Sequence, residues 1–233
     1  MTTISPPSSS FDIVGFDLDG TLVDTSGDLT AAVNHALASV DRPPLSVAQV
    51  KPMIGGGARH MLAQGLASSG GCDEAMLDLL HPRLLAYYEA NIAVDSAPYP
   101  GALASLDALA AQGVKLAVVT NKIERFARAL LDDLGLTARF ATIIGGDTLG
   151  RGKSKPSPAP IARMIADCGG GSAAFVGDSI FDVKAAAGAG VPSIACRFGF
   201  LMQPVEELGA DAIIDHFDDL IPTLERLGCR QNA

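Results

Sequence analysis

The sequence predicts a parallel α/β core interrupted by one helical insertion, and three observations carry that reading. Short apolar runs alternate with intervals long enough for a helix, the pattern of strands covered by crossover helices. One interval, between the first and second strands, is nearly 100 residues long and carries helical rather than strand periodicity. Polar residues suited to chemistry follow the ends of four predicted strands, the edge where open parallel sheets bind ligands. A chain of 233 residues with 48% apolar content buries a real core, and is long for a single α/β sheet without an insertion.

Taken in order, the chain opens with MTTISPPSSS, which lacks a basic region and an apolar stretch and is therefore not expected to be a signal peptide. Residues 1–10 are expected to be a disordered leader. Predicted strands cover Phe11–Phe16, Val114–Val119, Phe140–Ile144, Ala173–Val176, Val191–Ala195 and Asp211–Ile214. Between the first two, Asp28–Val40, Gly57–Ala67 and Asp73–Ile92 read as helices. Turn-forming residues border this insertion, Asp24-Thr25-Ser26-Gly27 at its entry and Pro98-Tyr99-Pro100-Gly101 at its return. The expected division is a core of residues 11–25 and 97–233 and an insertion of residues 26–96. Two linking segments make a hinge, and a hinged insertion suits a lid that excludes water.

Composition narrows the partners. The net charge is −9 and the pI about 4.8, so the surface repels phosphate backbones and anionic lipid. No nucleic-acid or membrane partner is expected, and no run approaches the ~18 apolar residues of a membrane span. An anionic small molecule remains compatible if its pocket is locally positive or holds a metal. Cys72, Cys168, Cys196 and Cys229 are widely spaced, with no zinc-binding pattern, and are expected to be reduced thiols of a cytoplasmic protein. A monomer or homodimer is expected.

The candidate site residues lie at strand ends. Asp17 and Asp19 flank one residue, and alternation along an extended chain puts both on one side. Two adjacent carboxylates repel, so one is kept protonated or a cation sits between them. Either state is useful, as a carboxylate nucleophile beside a proton donor or as a hard-metal site. Thr120 and Asn121 precede a helical pattern, Ile123–Leu134, where a hydroxyl and helix N-terminal amides make an anion site; taken alone the pair is equally a helix cap. Lys155 heads a proline-rich segment that denies a long helix before Ile161, and a fixed ammonium there would neutralise a phosphoryl oxygen; Lys153 and Arg151 are rivals for that role. Asp178 and Asp182 face one point if a helix begins after Ser179, and oxygen ligands suit Mg²⁺. Singly these are turns, caps and solvated side chains. Jointly they supply what phosphoryl transfer needs. Gly152-Lys153-Ser154 lacks P-loop spacing, Gly55-Gly56-Gly57 is followed by His60 where a dinucleotide fingerprint needs glycine, and no Gly-x-Ser-x-Gly occurs.

With these motifs the chain resembles the haloacid dehalogenase superfamily: DLDGT at Asp17–Thr21, Thr120, Lys155 within KPSPAP, and GDSIFD at Gly177–Asp182. FDLDGTLVDT, the segment Ile54–Arg59, TNK at 120–122 and GGDTL at 145–149 resemble its phosphoglycolate phosphatase-like branch. The resemblance implies a doubly wound parallel-sheet core with an inserted helical cap of the C1 type. It implies a Mg²⁺-dependent phosphomonoester hydrolase acting on a small phosphoester, foremost 2-phosphoglycolate, through an aspartyl-phosphate. Asp17 would be the nucleophile and Asp19 the acid and base. Asp17, the Asp19 carbonyl and Asp178 would hold the metal, with Asp182 behind them orienting the site. Thr120, Asn121 and Lys155 would hold the phosphoryl group. In the cap, Gly56 and Arg59 are candidates for substrate contact, Arg59 because its fork matches a carboxylate. The alternatives are another small phosphoester such as a sugar phosphate or pyrophosphate, a phosphosugar mutase and, outside enzymes, a phospho-aspartate regulatory or binding protein. Receiver domains are about half this length and carry their phosphoacceptor outside the acid pair.

Overall fold

A computed structural model of the chain describes residues 10–231. The leader expected over residues 1–10 lies, apart from Ser10, outside the described residues. The chain runs through β1 (Ile13–Phe16), β2 (Val23–Asp24), α1 (Ser26–Ala38), α2 (Val47–Val50), α3 (Ala58–Ser68), α4 (Glu74–Ala90), β3 (Ala97–Pro98), α5 (Ala102–Ala111) and β4 (Lys115–Val119). It continues through α6 (Glu124–Asp133), β5 (Thr142–Ile144), α7 (Ala159–Asp167), β6 (Ala173–Gly177), α8 (Ile180–Gly188), β7 (Ser193–Cys196), β8 (Ala212–Ile214) and α9 (Leu220–Gln231).

Six parallel strands form the main sheet in the order β5-β4-β1-β6-β7-β8. β1 is central, with Ile13 paired to Lys115 on one side and Ala173 on the other. The strand order reverses at β1, so the ends of β4, β1 and β6 border one crevice. Strand side chains alternate between two cores. Val14, Phe16, Leu116, Val118, Ala174 and Val176 meet α5, α6 and α9. Ile13, Ala117, Val119 and Phe175 meet α7 and α8. With both faces covered, the strands read as continuous apolar runs. Each large side chain fully buried this way contributes about 1.5–3 kcal/mol.

The predicted strands all form, within two residues of their expected ends. Two further strands were beyond the reach of any period: β2 and β3 pair antiparallel over only two residues each, Val23 with Pro98 and Asp24 with Ala97. The segments read as linkers are therefore a ribbon at the base of the insertion. Asp28 in the first turn of α1 clasps it, accepting from the Asp95 amide at 3.0 Å and the Ser96 hydroxyl at 2.6 Å. The one-turn helix α2 was also unforeseen. It is held by a reciprocal cap in which Gln49 N donates to Ser46 Oγ and Ser46 N donates to Gln49 Oε1.

Helices α1, α3 and α4 bury Val33, Leu37, Leu62, Leu66, Leu80 and Leu84 against one another. The same cluster takes in Phe126 of α6 and Phe200, so the insertion packs directly on the sheet's crevice. The four cysteines are unpaired. No helix among the described residues is long and apolar enough to cross a membrane.

Candidate active site

Asp17 is the first residue past β1 and is buried. Its amide donates to the Val176 carbonyl, which anchors it between β1 and β6. Its Oδ1 accepts from the Leu18 amide at 2.7 Å and from Lys155 Nζ at 2.9 Å. Burial pushes the Asp17 carboxyl up to about 6; Lys155 opposes this, and the neighbouring Asp182 and Asp19 add to it. Asp19 is buried as well, and its Oδ1 accepts from Thr25 Oγ1 at 2.7 Å and Lys122 Nζ at 2.8 Å. The turn just after Asp19 needs Gly20, at φ +81°. A Cβ there would stand 2.2 Å from Asp178 Oδ2 and 2.8 Å from the Phe200 ring.

Lys155 is brought to this carboxylate, while Lys153 and Arg151 are exposed. Its ammonium lies between Asp17 and Asp182, 2.6 Å from the Oδ1 of the latter. Burial alone would favour neutral lysine, but the two carboxylates outweigh it and hold the pKa above its usual value. Asp182, in the first turn of α8, accepts from protein donors on both oxygens. Its Oδ2 accepts from the Ser179 amide at 2.9 Å and hydroxyl at 2.6 Å, and its Oδ1 from Lys155. Asp178 is the first residue past β6 and accepts from Phe200 N at 2.5 Å and Thr21 Oγ1 at 3.2 Å. Burial, then Asp182 and Asp17, push its carboxyl well up.

Carboxylate oxygens of Asp17, Asp178 and Asp182 lie within 4.8 Å of one another, all buried. Three acids share one ammonium, so the cluster lacks positive charge when ionised, which a divalent cation would supply. Asp178 accepts one hydrogen bond on each oxygen and Asp182 Oδ1 accepts only from Lys155, so each of the three acids keeps a lone pair for such an ion; Asp182 Oδ2, which takes both the Ser179 amide and hydroxyl, is the most fully occupied oxygen. The residues present therefore fit a hard cation with oxygen ligands.

Thr120 follows β4, is buried, and accepts from the Lys122 amide at 3.1 Å. It does not sit on a free helix N-terminus. The α6 helix begins at Glu124, whose amide is already capped by Asp147 Oδ1 at 2.8 Å. One amide of that N-terminus is thus taken, and the Thr120 side chain is turned back onto the Lys122 amide. Asn121 Nδ2 donates to the Gly55 carbonyl at 2.9 Å and the Lys155 carbonyl at 3.0 Å, tying the insertion to two core loops. Its Oδ1 is buried without a partner.

A cavity of about 40 Å³ lies between Asp17, Asp19 and Thr120 on the core side and Leu29, Met61 and Tyr88 on the insertion side. Lys122, which sequence reasoning did not place in the site, lines it. Its ammonium stands 4.6 Å over the Tyr88 ring, and Asp19 with Tyr88 keeps it charged against the effect of burial. The third position of TNK was its only signal, and nothing marked Tyr88 among the buried residues of α4. Gly55 and Gly57 line the cavity and Gly56 is not among its walls. Arg59 is half-exposed and pairs with Glu74 at 2.6 Å and Asp78 at 2.8 Å, both on α4.

Comparison with known proteins agrees with this architecture. A sequence profile for haloacid dehalogenase-like hydrolases matches residues 14–196. The chain is 42% identical to the phosphoglycolate phosphatase of Agrobacterium fabrum over 212 residues, 90% of each chain. It is 43% identical to that of Rhodospirillum rubrum, over 88% of this chain and 87% of the relative. The crystal structure of a predicted phosphoglycolate phosphatase from Haemophilus somnus superposes with a TM-score of 0.85 at 32% identity, over 92% of this chain and 98% of that one.

Proposed function

The chain belongs to the haloacid dehalogenase-like hydrolases, and on that footing we propose that it hydrolyses 2-phosphoglycolate, with Mg²⁺, through an aspartyl-phosphate. The observation that carries the chemistry is the buried cluster of Asp17, Asp178 and Asp182 around Lys155, open toward a cavity that also holds Asp19. Relatives named phosphoglycolate phosphatase, 42% identical over 90% of the chain, support the choice of substrate.

The Asp17 carboxylate attacks phosphorus, and the bond from phosphorus to the glycolate oxygen breaks. Asp19 protonates the leaving oxygen, its Oδ1 fixed by Lys122 and Thr25. Asp19 then takes a proton from water, the water oxygen attacks phosphorus, and the bond to Asp17 breaks to free phosphate. Lys155 holds Asp17 in line and faces the phosphoryl oxygens, with Thr120 and Asn121 at their other side. Asp17, Asp178 and the Asp19 carbonyl would hold the Mg²⁺, which when bound offsets the charge of carboxylates and phosphoryl oxygens. Asp182 positions Lys155 and the start of α8.

The helical insertion, residues 26–96, serves as the cap, hinged on the β2–β3 ribbon and closed over the cavity by the Asn121–Gly55 bond. Phosphate release with Mg²⁺ across 2-phosphoglycolate, sugar phosphates, pyrophosphate and nucleoside monophosphates tests the reading. We expect the highest kcat/KM for 2-phosphoglycolate, and an Asp17→Asn variant that folds normally with kcat down by at least about 10⁴-fold. Faster release from another ester would overturn the substrate. Wild-type release by Asp17→Asn would overturn the nucleophile.

A further inference from the structure

The site has two buried lysines, and only Lys155 faces the phosphoryl group in the reaction above; Lys122 enters it through Asp19 alone. Lys155 is committed to Asp17 and Asp182. Lys122 is the sole cation among the residues that line the cavity, and it stands toward the insertion. The Tyr88 hydroxyl is buried beside it with no hydrogen-bond partner of good geometry. The remaining insertion-side walls, Leu29, Met61 and Leu84, are apolar. A buried hydroxyl and an ammonium together, among hydrocarbon, make a place for an anion and leave no other place for one on that side.

Position decides which anion. Lys122 Nζ is 2.8 Å from the Oδ1 of Asp19, the carboxylate that faces the leaving oxygen. In an α-phosphoryloxy acid the carboxylate is one carbon beyond that oxygen. A cation one hydrogen bond away from the proton-transfer group is therefore within reach of it. We propose that Lys122 and Tyr88 form the carboxylate subsite of this enzyme, so that the substrate's acid end is read by a core lysine and a cap tyrosine together. This rests on the 2-phosphoglycolate reading above. Closing the cap brings Tyr88 to Lys122, which couples recognition of the acid to exclusion of water. An ester of the same length without the acid offers neither group a carboxylate, and Lys122 keeps only Asp19.

The test compares 2-phosphoglycolate with 2-hydroxyethyl phosphate, which keeps the phosphate and chain length and lacks the carboxylate. The readout is the ratio of their kcat/KM values in wild type, Tyr88→Phe and Lys122→Met. We expect wild type to favour 2-phosphoglycolate, Tyr88→Phe to lower the ratio about tenfold and Lys122→Met about 100-fold. Tyr88→Phe keeps the ring and removes only a hydroxyl that makes no hydrogen bond of good geometry, so it decides the matter even if Lys122→Met does not fold. A ratio unchanged in both variants, with each substrate slowed equally, overturns the subsite and leaves the substrate reading intact. A wild type that favours 2-hydroxyethyl phosphate overturns both.

Discussion

The floor and the roof of the cavity are built on opposite principles. On the floor, Lys155 bridges Asp17 and Asp182, Asp182 spends its other oxygen on Ser179, and Asp178 accepts from Phe200 and Thr21. On the roof, the Tyr88 hydroxyl is buried with only the Lys122 ammonium of the core beside it and no hydrogen bond of good geometry, and at the seam below it the Asn121 Oδ1 is buried without a partner. The floor rests on strand ends held by the sheet, so its geometry is ready before any ligand arrives. The roof sits on an insertion joined by a ribbon two residue pairs long, and its polar atoms are completed by what they enclose. Chemistry is preorganised; recognition is left open for the substrate.

Lys155→Met should strike the floor hardest. It removes the one ammonium among three buried carboxylates. Leaving such charges uncompensated costs about 3–5 kcal/mol, and kcat should fall on the order of 10²–10³-fold. Denaturant unfolding and phosphate release measure both. A variant as stable as wild type would mean that the floor is not held by this pairing.

The motif residues of the floor were legible because each follows an apolar strand, and a parallel sheet brings strand ends together. The roof was not legible for a physical reason. Lys122 and Tyr88 are 34 positions apart in the chain, and their contact depends on how α4 packs on α6 through Phe126. The β2–β3 ribbon is too short to show a period. Nothing in the pattern after Thr120 revealed that Asp147, from another loop, would cap α6.

Metal and pH separate the two halves further. The folded-state pKa of Asp17 is raised to about 6, and that of Asp178 is raised as well. The folded protein thus holds more protons than the unfolded one above pH ~4. Its metal-free stability from this source is full below pH ~4 and is lost as pH rises through about 6. The metal-free melting temperature should drop by roughly 2–6 °C between pH 5 and 7.5 relative to Asp17→Asn. Added Mg²⁺ should restore it, with a larger gain at the higher pH, since binding displaces protons. Calorimetric scans at both pH values check this. An equal Mg²⁺ gain at each would detach the acids of the floor from metal binding.

The smallest effect belongs to Arg59, on the outer side of the insertion. Its fork would suit a substrate carboxylate, but it is already engaged by Glu74 and Asp78 in a half-exposed setting. Recruiting it would mean breaking both pairs and carrying the side chain past the walls formed by Gly55, Gly57 and Ala58. Exposed pairs of this kind are worth about 0–1 kcal/mol. Arg59→Ala should therefore change stability by less than about 1 kcal/mol and kcat/KM for 2-phosphoglycolate by less than about twofold. A KM raised tenfold, with kcat unchanged, would place Arg59 in the substrate's binding path and make the roof a two-cation surface. An unchanged KM, beside a large loss in Lys122→Met, would confine recognition of the acid to the cavity's single cation.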